Sequence, residues 1–95
     1  MQFGERIKEL RESKELLQRQ LAASLEIDTP MFSKIERGER RAKREQVLLL
    51  AELLEADVHD LLAVWLADQV YELVKDEEDA NEALQMVINT VKKKQ

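Results

Sequence analysis

Apolar residues recur along this chain at helical spacing almost from end to end. Phe3, Ile7 and Leu10 fall at i, i+4 and i+7, which predicts a helix over residues 2–14 with one buried stripe and a charged outer surface. Leu21, Ala22 and Leu25 predict a second over residues 17–25, with small residues at 22–24 that let a neighbour approach. A third, short helix follows: Asp28 or Thr29 can cap it, Pro30 fits its first turn, and Gly38 ends it in the left-handed region. Phe32 and Ile35 share its inner face, so Ser33, Lys34 and Arg37 point elsewhere. Residues 44–55 predict a fourth helix with more apolar positions (Val47, Leu48, Leu50, Ala51, Leu54) than one face needs. Asp57 caps a fifth, with Asp60 three residues later as an acidic capping box, and the period from Val58 continues to about residue 75. A last helix begins at the acidic run 76–79 and carries Ala80, Ala83, Leu84, Val87, Ile88 and Val91 as a stripe, with Lys92, Lys93 and Lys94 at its C-terminal end. Its stripe either folds back on the fifth helix or packs against a second chain.

Composition narrows the class. The 95 residues suffice for one small domain and little more, and with two Gly and one Pro they favour helices joined by short loops, an all-α fold. No cysteine excludes disulfides and Cys-based zinc sites, and the single His59 leaves a His-rich metal site without ligands, so no cofactor is expected. No apolar run is long enough to span a bilayer, and the segment MQFGERIKEL carries acids where a signal peptide carries an apolar core. A cytoplasmic protein with no membrane partner is expected. Enzymatic activity is the weakest reading: there is no Gly-rich phosphate loop, and the acids and lysines fall where solvated faces and helix ends already explain them.

Charge changes the picture once it is placed along the chain. The net value of −5 argues against nucleic acid, but residues 1–44 carry 11 Lys/Arg against 8 Asp/Glu, and residues 45–95 carry 4 against 12. The front is +3 and the back −8, so a basic front can meet phosphates while an acidic back faces water. Arg40, Arg41, Lys43 and Arg44 put four cations in five positions directly after the third helix. A capped helix with a polar outer face, followed by a basic loop and preceded by a helix three or four residues away, forms a helix-turn-helix pattern that suits a major groove and its flanking phosphates.

The segments FGERIKELRESK, QRQLAASLEID, MFSKIERGER and LLLAELLEADVHDLL, together spanning residues 3–62, resemble the XRE family of Cro/cI-like helix-turn-helix proteins, which includes restriction-modification controllers, SinR-like regulators and some antitoxins. The resemblance implies a five-helix, phage-repressor-like DNA-binding domain over residues 1–66; the C-terminal third is not part of it, and the helical period makes residues 67–95 a helical extension. It implies that Gln18 contacts a phosphate, that Thr29, Pro30, Ser33 and Lys34 read base edges, and that Arg37, Arg40, Arg41 and Lys43 meet the DNA backbone. The chemistry agrees in part: a lysine donates to guanine O6 or N7, and a Thr methyl or Pro ring contacts a thymine methyl. It also implies a salt bridge between Glu36 and Arg11. Four residues at three places depart from the family pattern. Leu17 replaces the cap before Gln18, Glu26 replaces the turn glycine and so must take a left-handed conformation, and Ala42-Lys43 replaces Pro-Ser. Leu17 and Ala42 thereby weaken the case for two helix starts.

The surplus apolar surface implies a two-fold homodimer whose recognition helices, about 34 Å apart, read a palindromic operator. The expected function is a sequence-specific transcriptional regulator, most simply a repressor that covers a promoter. The alternative is an antitoxin-type interaction protein that holds a partner protein through its C-terminal helices. Neither the operator, nor the direction of regulation, nor a controlling signal can be read from the residues.

Overall fold

The amphipathic segments fold as six helices in the computed structural model, which describes residues 2–95: α1 (Gln2–Ser13), α2 (Gln18–Ser24), α3 (Thr29–Glu36), α4 (Arg44–Leu53), α5 (Val58–Val74) and α6 (Ala80–Lys94). Among the described residues there is no strand. Residue 1, where the expected first domain begins, lies outside them. The first five helices surround one core in which Ile7, Phe32, Ile35, Val47, Leu50, Leu54 and Leu61 are fully buried. α2 lies against α3, α4 against α5, and α1 against both α3 and α5. Burial of these side chains drives the assembly, at about 1.5–3 kcal/mol for each large apolar residue.

Gly4 sets how close α1 and α3 come. A Cβ there would stand 2.6 Å from the Ile35 carbonyl oxygen and closer still to that of Glu36. Both obstacles are backbone, so neither can swing aside. Gly4→Ala is expected to push the two helices apart and to lower stability by about 1–3 kcal/mol, the usual cost of overpacking; an unchanged urea midpoint would contradict this close approach.

The two helix starts without a cap side chain are built from the other half of the motif. Gln20 Oε1 accepts the Leu17 N–H at 2.7 Å, and Gln46 Oε1 accepts the Lys43 N–H at 2.8 Å. In each case a glutamine three residues into the helix reaches back. Asp57 caps α5, accepting from His59 N–H and Asp60 N–H. Asp60 does not complete an acidic capping box; its carboxylate pairs with Arg6 of α1 instead. Asp79 precedes α6 without a side-chain cap bond, and His59 is exposed.

Helix ends repeat one device. After α1, α2 and α4 the chain turns through Glu15 (φ 56°), Glu26 (φ 59°) and Glu55 (φ 53°), and after α3 through Gly38 (φ 77°). At each end the next N–H, from Leu16, Ile27, Ala56 or Glu39, bonds back to the carbonyl of Arg11, Ala22, Ala51 or Lys34. This is the Schellman closure, and only one of four uses the residue that favours it. Glu15→Gly, Glu26→Gly and Glu55→Gly are each expected to stabilise the protein. The gain is about 0.5–1 kcal/mol per site, the relief of a left-handed side chain less the added freedom of the unfolded chain. Thermal melting should show a rise of several degrees for the triple variant; a fall would contradict it.

α5 reaches back to the beginning of the chain. Asp68 is buried and accepts the Phe3 N–H at 2.8 Å and the Gln2 N–H at 3.2 Å, so α5 supplies the cap for α1. Its charge lies at the positive end of the α1 dipole. α6, by contrast, buries no residue, so folding back does not cover its stripe.

Candidate nucleic-acid interface

α3 is fixed at both ends and held along one face. Asp28 Oδ1 accepts the Met31 N–H at 2.7 Å, Pro30 occupies the first turn, and Gly38 closes the far end. Phe32, Ile35 and Glu36 are buried, which leaves Thr29, Pro30 and Lys34 exposed and Ser33 half-exposed on the other side. Lys34 has no ion-pair partner within 4 Å among the described residues. A lysine held on a rigid rod and not neutralised by the protein is a donor available to an acceptor outside it.

Residues 39–43 then run past α5. Ala42 is buried, and its carbonyl accepts the Trp65 indole N–H at 2.8 Å. This bond pins the loop in the middle, while Arg40, Arg41 and Lys43 on either side of it are exposed and have no ion-pair partner among the described residues. Arg44, the first residue of α4, is exposed and unpaired in the same way.

Two residues stand differently from the rest. Arg37 bonds Glu39 and the Ser33 hydroxyl, so it is engaged within the protein. The Glu39 hydrogen bond raises the Arg37 guanidinium above its ordinary pKa, and Arg37 in turn lowers that of Glu39. Both are exposed, so the pair contributes little and a phosphate could compete for it. Gln18 is half-buried and points its amide inward, donating to Glu36 Oε1 at 2.9 Å. One amide N–H and the backbone N–H groups at the start of α2 are what remain for a phosphate.

Behind the exposed face lies the network that orients it. Glu36 accepts from Arg11 Nε at 2.7 Å and from a second guanidinium nitrogen of Arg11 at 3.1 Å, as well as from Gln18. Arg11 also donates to the Leu16 carbonyl at 2.9 Å. The hydrogen bonds to Glu36 raise the Arg11 pKa, with burial opposing. One carboxylate thus joins α1, the start of α2 and α3. No buried side-chain nitrogen or oxygen among the described residues lacks a partner.

The structure therefore brings Thr29, Pro30, Ser33, Lys34, Arg40, Arg41 and Lys43 to accessible positions along α3 and its loop, and turns Gln18 and Arg37 toward partners within the protein. Sequence reasoning passed over Arg19, an exposed cation at the start of α2 with no ion-pair partner among the described residues, whose position beside Gln18 was the available signal. It also missed Trp65 and Asp68 as supports, which sit far along the chain from what they hold. Among the described residues no group of three His, Cys, Asp or Glu is placed to hold a metal ion, and no helix is long and apolar enough to cross a membrane. A family model described as a helix-turn-helix domain matches residues 2–65. No curated protein and no solved structure matches the chain.

Proposed function

We propose, from the premise that this chain belongs to the helix-turn-helix domain family, that it is a sequence-specific DNA-binding transcriptional regulator of the XRE, Cro/cI-like type. In this reading α3 enters the major groove. Thr29, Pro30, Ser33 and Lys34 read base edges, while Gln18, Arg37, Arg40, Arg41 and Lys43 hold phosphates, joined by Arg19 and Arg44. The observation that carries it is the unneutralised cation set: Lys34, Arg40, Arg41 and Lys43 are all exposed and unpaired around a helix whose opposite face is buried. In a protein of net charge −5, such a cluster is a local field for a polyanion.

Residues 1–66 act as the DNA-binding domain and residues 67–95 as a helical extension that dimerises it. A two-fold pair sets two α3 helices about 34 Å apart, matched to a palindromic operator, and acts in the cytoplasm, most simply as a repressor. Anisotropy titration of the duplex upstream of its own gene against a random duplex of equal length, at physiological salt, tests this. Affinity for the operator about a thousandfold or more above random is the expected result; equal affinities would refute sequence-specific binding.

A second reading rests on the exposed apolar side chains Leu66, Val70 and Leu73 of α5 and Met86, Val87, Ile88 and Val91 of α6. That surface would also serve an antitoxin-type protein that holds a partner protein and binds DNA secondarily. Co-expression with the product of the neighbouring gene separates the two: stable co-purification favours the second.

A further inference from the structure

We propose that two copies of this chain join through their α6 helices, packed antiparallel about a two-fold axis between Gln85 and Met86. This rests on the homodimer reading above and specifies its interface. The stripe on α6 is open to solvent: Val87, Ile88 and Val91 are exposed, Ala80 and Leu84 are only partly covered, and no residue of the helix is buried.

The segment is self-complementary about its centre. Turning it end for end about the midpoint between residues 85 and 86 sets Leu84 level with Val87, Ala83 with Ile88, and Ala80 with Val91. The same operation brings the acidic turn of residues 76–79, which leads into the helix, beside the lysines of residues 92–94 at the far end of the other copy. Every apolar layer meets an apolar layer, and the acidic end of one copy meets the basic end of the other. That symmetry is what an isologous two-fold interface demands and what a foreign partner has no reason to require. The spacing of Ala80, Leu84, Val87 and Val91, alternately four and three, is that of a helix-pair seam.

The competing arrangements are disfavoured by charge. A parallel α6 pair puts the acids of residues 76–79 together and the lysines of residues 92–94 together. An antiparallel pair of α5 helices, whose Leu66, Val70 and Leu73 are also exposed, gains no such match, because Val58–Val74 holds no lysine or arginine to set against Asp60 and Glu72.

The chain has no cysteine, so introduced ones report without background. Ala80→Cys and Val91→Cys, placed together in the full chain and oxidised, are expected to give a disulfide-linked dimer on a non-reducing gel. Each alone is expected to give almost none, because identical positions in the two copies stand about 16 Å apart along the seam, beyond disulfide reach. Light scattering of the reduced wild-type protein is run beside it. A dimer in solution that fails to cross-link in the double variant, or that cross-links in a single one, overturns the antiparallel α6 seam and leaves the homodimer standing. A monomer in solution overturns both. As an independent check, Lys92→Glu, Lys93→Glu and Lys94→Glu together should weaken the dimer about tenfold or more. Adding Glu77→Lys, Glu78→Lys and Asp79→Lys should restore it; no weakening would contradict the end-to-end pairing.

Discussion

Glu36→Ala is expected to destabilise the protein by about 3–5 kcal/mol, the cost of leaving a buried charge without its partner. The Glu36 side chain is 3% exposed and that of Arg11 is 11% exposed, so water cannot take over the lost role. Truncation removes both acceptors of the Arg11 guanidinium on α3 and the acceptor of the Gln18 amide at once. The Leu16 carbonyl stays as the only contact of Arg11 within hydrogen-bond reach. Since small domains hold about 5–15 kcal/mol in all, the variant should unfold early in urea. The same argument gives an opposite expectation for replacing both partners. Arg11→Met with Glu36→Leu removes the desolvated charges together and should recover most of the loss. Urea unfolding followed by circular dichroism compares the variants. A loss below about 1 kcal/mol for Glu36→Ala would mean that the pair is solvated in solution and does not tie α1 to α3.

What could be read from the residues was what local spacing determines. The stripes Phe3–Ile7, Phe32–Ile35 and Val47–Leu50–Leu54 gave the core, because a buried face at helical period needs no knowledge of its neighbour. Asp28 and Asp57 were legible as caps for the same reason, their partners lying two or three residues away. Gln20 and Gln46 were legible too, had the glutamine three residues into each helix been weighed without its usual serine or threonine. The left-handed Glu26 came from the resemblance, since a family glycine stood there. Glu15 and Glu55 had no such marker, and their conformation is imposed by closure onto Arg11 and Ala51. Of the contacts across the chain, the Arg11–Glu36 salt bridge came from the resemblance and is present; local spacing gave none of the others. Nothing near Asp68 in sequence says that it caps a helix 65 residues earlier, nor does Trp65 announce its bond to Ala42. The inward turn of the Gln18 amide depends on where Glu36 sits, and the Arg37–Glu39 pair on how Gly38 folds the loop.

Combining Lys34→Ala with Arg40→Ala is expected to abolish operator binding at physiological salt, and the two halves of the effect separate by their salt dependence. Lys34 stands on the outer face of α3, where a donor to guanine discriminates by about 1–3 kcal/mol per half-site. Its loss should weaken the operator complex alone and leave binding to random duplex nearly as before. Arg40 stands in the loop pinned by Ala42 and, as a phosphate contact, carries no sequence information. Its loss should weaken operator and random duplex alike. It should also make the slope of log affinity against log salt shallower by about 1.8, since a dimer gives up two phosphate contacts at roughly 0.9 each. A slope change near 0.9 would mean that one copy of Arg40 per complex touches DNA, which a symmetric dimer does not allow. If the double variant still occupied the operator as the parent does, α3 and its loop would not be the surface that meets DNA. The unpaired cations would then need another ligand.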